Sequence, residues 1–274
     1  MTKGTKVLII ILIIIIIIAG ALLAYRFYLG TKNEEDIISL GTDVVVNEVE
    51  NQEPEKQVEI FNGNERPIAV MIDNHKAALP QGGLNNAYMV YEIIVEGGES
   101  RLMALFKGQD LEKIGPVRSA RHYFLDYALE NDAIYVHFGW SPQAESDISD
   151  LGVNNINGIF ESETSFWRTR DKSAPHNVAT STEKILEIAE TKGYRQTSTK
   201  ESVLNYVTEE VNLENGIIAN TVEIPYSESN EVRYEYNPET QRYQRFSKGI
   251  EETDWTTGEN VTTKNIIITF ARNT

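Results

Sequence analysis

Residues 66–75 read RPIAVMIDNH, and the apolar run IAVMI (68–72) closed by Asp73-Asn74 is the first of four such runs. The others are AYMVYEIIV (87–95), ended by Glu96-Gly97-Gly98, then RLMALFKG (101–108) and AIYVHFG (133–139). Short apolar runs closed by turn residues are the pattern of strands buried on both faces. Helix signals lie between and after them. Ser119 is placed to cap a helix through HYFLDYALEN, where Tyr123 and Tyr127, and Leu125 and Leu129, recur at helical spacing. Ser141-Pro142 pairs an N-cap with proline at the first helical position, and Gly152 stops that helix. Thr180-Ser181-Thr182-Glu183 reads as a capping box, and Gly193 ends the helix ILEIAETK. Strands alternating with helices over 66–195 predict an α/β or α+β N-terminal domain.

Beyond residue 195 the pattern changes. TSTKESVLNYVTEEVN (197–212) is a polar connector, and then TVEIPY, EVRYEYN and QRYQRF alternate with period two. Val232, Tyr234 and Tyr236 fall on one face, with Glu231, Arg233 and Glu235 on the other, and Asn237-Pro238-Glu239-Thr240 supplies a turn. The spacing predicts a small antiparallel β-rich domain over 196–274, with NIIITF (265–270) as its last strand.

Upstream, Val7–Ala24 is VLIIILIIIIIIAGALLA, without a charge. As a helix it is roughly 27 Å long, close to the hydrocarbon thickness of a bilayer. Lys3 and Lys6 precede it and Glu34, Glu35 and Asp36 follow, which predicts a single transmembrane helix with the bulk of the chain extracytoplasmic. A signal peptide cut near Ala19-Gly20-Ala21 is the competing reading of residues 1–29. The uncleaved anchor is favoured because apolar residues continue past Ala21. Both readings export the domain and place the protein at the cell membrane or beyond it. Residues 30–65 are acidic, with Phe61 as their one aromatic, and read as a linker with at most a short strand at Asp43–Val46.

The chain has no cysteine, so it has neither disulfides nor a thiolate site. Its net charge of -16 argues against nucleic acid as a partner. No phosphate-cradling glycine loop, nucleophile elbow or metal-binding spacing is present, so no cofactor and no metal are expected.

Polar groups concentrate at the ends of the apolar runs, where α/β sheets build sites. The candidates are Glu92, Glu96, Arg101, Arg118, Ser119, Arg121, His137 and His176, with Asp73, Asn74, His75, Asp171 and Lys172 nearby. Each has a structural reading beside the functional one. Glu92 and Arg101 can pair across neighbouring strands, His137 can be a buried hydrogen-bonded core residue, and Trp140, Phe166 and Trp167 can be core rather than a sugar-stacking platform. Arg118 and Arg121 sit at the positive end of the helix expected after Ser119, which calls for a compensating anion. It is either internal, from Glu92, Glu96 or Asp126, or the acid group of a ligand, with His137 and His176 lining the pocket.

Three blocks carry a resemblance. RPIAVMIDNH…ALPQGGLNNAYMVYEIIVEGGESRLMALF, EKIGPVRSARHYFLDYALENDAIYVHFGWSPQA and RDKSAPHN together resemble the YerB-type family of bacterial lipoproteins, closely over about 66–185 and more weakly to the end. The resemblance implies an exported, membrane-attached, two-part protein and names no reaction. It also implies two departures: relatives carry a lipidation cysteine where this chain keeps a hydrophobic anchor, and they continue past the point matching Phe270. On that footing the β-rich domain is expected to be incomplete. The combined expectation is a membrane-anchored envelope protein whose Arg/Glu/His-lined cleft binds a cell-wall component or a partner wall enzyme. The alternative is an envelope hydrolase using Glu92, Glu96 or Asp73 as acid and base.

Overall fold

The computed structural model describes residues 63–208 and 216–270. The apolar segment at 7–24 and the strand expected at Asp43–Val46 lie outside the described residues. Among those described, no helix is long and apolar enough to cross a membrane. The chain divides into two compact units, Met1–Glu55 and Lys56–Thr274, and all the described structure belongs to the second.

The four apolar runs become strands β1 (Ile68–Asp73), β2 (Met89–Ile94), β3 (Ser100–Phe106) and β4 (Ile134–His137). With β5 (Asn155–Asn157) they form a mixed sheet in the order β2-β3-β1-β4-β5. β3 runs antiparallel to both β1 and β2, while β1-β4 and β4-β5 are parallel. Three helices flank it: α1 (Leu125–Glu130), α2 (Pro142–Asp150) and α3 (Thr182–Thr191). Because successive side chains on a strand point to opposite faces, Ile68, Val70 and Ile72 pack with Ile185, Ile188 and Ala189 of α3. Ala69 and Met71 pack instead with Leu125 and Ala128 of α1 and Ala144 and Ile148 of α2. The result is a three-layer α/β/α unit. A fully buried aliphatic side chain contributes about 1.5–3 kcal/mol relative to an exposed one, so these two cores fix the sheet.

β1, β3 and β4 are buried on both faces, as expected. β2 is not. It is the sheet edge and only half-buried, with Val90 40% exposed.

Ser141 caps α2, its Oγ accepting from Ala144 N at 3.2 Å, with Pro142 in the first turn. The cap of α3 is Ser181, not the Thr180 of the expected box. Ser181 Oγ accepts from Lys184 N at 3.2 Å, while Thr180 donates to Ser165 O. Ser119 caps nothing. A 3-10 turn, His122–Phe124, leads into α1 with Arg121 before it and no side-chain cap. The reason lies in the backbone. Phe138 N donates to Arg118 O, Ala120 N to Gly139 O and Ser141 N to Ala120 O. These bonds hold 118–120 extended against the exit of β4.

Trp167–Arg168 (β6) and Val178–Ala179 (β7) form a two-stranded ribbon. The second sheet contains β8 (Thr221–Ser227), β9 (Asn230–Asn237), β10 (Arg242–Ser247) and the short β11 (Ile250–Glu251) and β12 (Thr262–Thr263). All its pairings are antiparallel. Asn237 Oδ1 accepts from Glu239 N at 2.8 Å and closes the expected turn. NIIITF (265–270), expected as the last strand, forms no strand. β10 already pairs with β9 on one side and with β11 and β12 on the other, and Ile267 and Phe270 stand 68% and 99% exposed.

The sheets are tied by charge. Buried Arg245 of β10 donates to Glu92 of β2 at 2.9 Å and to Glu252 at 2.6 Å. Burial opposes its charge, yet the two carboxylates hold the guanidinium well above its ordinary pKa. Lys248 reaches Asn74 O, and Asn230 reaches Ser100 Oγ.

Candidate functional site

GPVRSAR (115–121) crosses the end of the main sheet, and its backbone is spoken for. Arg118 N donates to Met71 O, and Ser119 O accepts from Arg101 Nη1 at 2.8 Å. Arg118, Arg121 and Arg101 therefore gather where β1 ends and β3 begins. Arg121 forks onto Glu96, with Nε 2.7 Å from Oε1 and Nη2 2.9 Å from Oε2. That hydrogen-bonded fork pulls the Glu96 carboxyl below its ordinary range. Arg118 Nε lies 3.2 Å from Asp73 Oδ2 as an ion pair without hydrogen-bond geometry, and Nε has no hydrogen-bond partner among the described residues. Burial, then the neighbouring Arg121 and Arg118, bring Arg101 down to about 10. Three guanidiniums share two carboxylates, Asp73 and Glu96, so the cluster carries excess positive charge.

His176 Nδ1 lies 2.8 Å from Asp73 Oδ2, and its ring stacks on His75 with centroids 4.3 Å apart. Asp73 is an acceptor, which puts the His176 proton on Nδ1. His75 Nδ1 accepts from Ala77 N, so neutral His75 is protonated on Nε2 and offers no lone pair to a metal while it caps that turn. His137 is fully buried, with Nδ1 2.8 Å from Gly139 O and Nε2 3.2 Å from Asn155 Oδ1. Burial pushes its pKa down to about 4, so it is neutral at physiological pH.

Beside the arginine cluster lies a cavity of about 430 Å³, walled by Arg118, Ser119, Phe138, Trp140, Asn157 and Arg168. Arg168 is held without being neutralised. Its Nη1 donates to Asn177 Oδ1 at 2.8 Å and its guanidinium lies 5.4 Å from the Phe138 ring centre. No carboxylate lies within ion-pair distance of it among the described residues. Buried Asn177 is fixed in turn by donating to Thr169 O and Lys172 O. Asn157 is 5% exposed; its Oδ1 accepts from Gly139 N and Ile159 N, and its NH2 donates to no described residue. Gly139 sits at φ 82°, a conformation glycine adopts freely, and this turns the chain from β4 into the cavity wall.

The expected site residues thus separate. Arg118 and Ser119 line the cavity. Arg101, Arg121 and Glu96 form the ion cluster behind it, and His176 joins that cluster through Asp73. His137 lies buried beneath, packed 5.6 Å from Trp140. Glu92 is drawn away: it accepts from Asn74, Ser100 and Arg245, and it pairs with Leu102, not Arg101, across β2 and β3. Sequence reasoning passed over Arg168, Asn157 and Phe160. Arg168 stands one residue from Trp167 and just ahead of RDKSAPHN, a signal available in the sequence. Asn157 and Phe160 carried none.

Fold and cavity together define a two-sheet protein, an α/β/α unit bearing a ligand-sized basic cavity bound to a small antiparallel sheet. Residues 53–195 match the model described as "Protein of unknown function (DUF3048) N-terminal domain", and residues 222–274 match the corresponding C-terminal domain. The chain belongs to this family. It is 37% identical over 209 residues to a Bacillus subtilis protein named "Putative lipoprotein YerB", a match covering 75% of this chain and 62% of the relative. The chain thus spans less than two thirds of that relative's length. The crystal structure of YerB from Bacillus subtilis superposes with a TM-score of 0.66 at 36% identity, covering 73% of this chain and 67% of that one.

Proposed function

We propose that this chain is a membrane-anchored protein of the bacterial envelope whose extracytoplasmic part binds an anionic cell-wall polymer in the cavity between Arg118 and Arg168. The anchor in this reading is the apolar segment Val7–Ala24, uncharged and long enough to span a bilayer. The lipoprotein name of the Bacillus subtilis relative supports attachment to a membrane. One observation carries the binding reading. In a chain of net charge -16, Arg168 is positioned by Asn177 and Phe138 yet left without a carboxylate. An ordered, uncompensated guanidinium at a cavity wall is suited to fork onto a carboxylate or phosphate. The hydrolase alternative is less well supported, because Asp73, Glu92 and Glu96 are each engaged by an arginine.

The test is co-sedimentation of the detergent-solubilised full chain with isolated wall sacculi. The parent is expected to sediment at low salt and to be released as salt rises. Arg118→Ala/Arg168→Ala, if folded by circular dichroism, is expected to stay in solution. Equal sedimentation of parent and double variant would refute the proposal.

A further inference from the structure

The basic cavity is not isolated. A second cavity of about 530 Å³ lies beside it, and the two share Trp140, Asn157 and Phe160. Each falls in the range of about 300–1,000 Å³ typical of small-ligand pockets. The Trp140 and Phe160 rings lie 5.7 Å apart at 54°, and Phe160 is 72% exposed on its 3-10 turn. Buried Asn157, with its carbonyl committed and its NH2 unused, belongs to both walls. The two halves differ in charge. The first presents Arg118 and Arg168. The second presents Glu145 together with the Glu161–Lys192 pair at 3.1 Å, two carboxylates against one ammonium.

Resting on the reading above, the geometry points to a continuous two-subsite groove that takes an oligosaccharide, its acid-bearing residue between Arg118 and Arg168 and an adjoining uncharged residue in the second cavity. An aromatic face suits the apolar C–H face of a sugar ring, so the Trp140–Phe160 pair supports the chain where it passes from one subsite to the next. The Asn157 NH2 donates at the junction. The carboxylates of the second cavity accept from hydroxyls and repel a second acid group, which sets the direction of the chain.

Isothermal titration of the detergent-solubilised full chain distinguishes the outcomes. The probes are N-acetylmuramic acid, the disaccharide of N-acetylglucosamine and N-acetylmuramic acid, and neutral chitobiose. The disaccharide is expected to bind at least tenfold more tightly than the acidic monosaccharide, with chitobiose weakest. Ser149→Trp, on the exposed face of α2 beside the second cavity, fills that subsite. It is expected to cut disaccharide affinity to the monosaccharide level and leave the monosaccharide unchanged. Equal affinity of the two acidic probes for the parent overturns the second subsite and leaves the anion site standing. Chitobiose binding as well as the acidic disaccharide overturns the anion site itself. Binding of none of the probes overturns both.

Discussion

His137 shows how far a single residue can be read. Its place inside AIYVHFG admitted both a core and a pocket role, and burial settles the ring in the core with its Nδ1–H on Gly139 O. That burial has a pH signature. The folded pKa is about 4 against an ordinary 6.5, so the folded protein excludes a proton that the unfolded chain accepts. The associated stability is fully present above pH 6.5 and is lost as pH falls through 4, a loss of up to about 3 kcal/mol. In urea titrations, His137→Gln is expected to be less stable than the parent at pH 7. Its decline from pH 7 to pH 4 should be shallower by up to that amount, and parallel declines would contradict the burial account. Arg118 was legible because it stands in a conspicuous turn with Arg121. Arg168 had a sequence signal in its place beside Trp167, but its role depends on Asn177, nine residues on and brought alongside only when β6 pairs with β7. Glu92 misled for the same reason, since its partner Arg245 is 153 residues away.

Elements were legible wherever a local pattern had one physical cause. The apolar runs of β1, β3 and β4, the Ser141-Pro142 start of α2, and the alternation of β8 to β10 all follow from burial or capping within a few residues. Errors arose where distant pairing decided. Ser119 was lost as a cap because 118–120 is held by 138–141, and NIIITF stays outside the ladder of β8 to β12, with Ile267 and Phe270 exposed. β2 looked buried because its sequence is as apolar as its neighbours', and only its edge position exposes it. The turn Gly158–Phe160, which carries the groove's aromatic rim, depends on a glycine for space rather than for φ. A Cβ at Gly158 would lie 2.5 Å from Phe166 Cδ1 and 2.8 Å from Phe138 Cδ2. Phe166 is buried at 4% exposure, so Gly158→Ala is expected to cost about 1–3 kcal/mol. At this chain length the melting temperature should fall by several degrees. A melting temperature matching the parent's would show that the two rings are not packed as described.

At the scale of the whole molecule, the division into an α/β part and an antiparallel β part was legible from the change of period near residue 195. The tie between them was not, because Glu92, Arg245 and Glu252 are ordinary residues until the two sheets meet. A buried charge left without its partner is strongly destabilising, so this network commits the sheets to one arrangement. GPVRSAR, Gly139 and Asn157 form the groove at those same strand ends, displaced toward β4 and β5. Amide hydrogen exchange of the full chain locates the bound ligand. The measurement is made with and without solubilised anionic wall polymer. Slowed exchange is expected at Phe138–Trp140, Asn157–Phe160 and Arg168, with the strands of the second sheet unchanged. Protection confined to residues 221–247, or no protection of the groove at saturating polymer, would contradict binding in the groove.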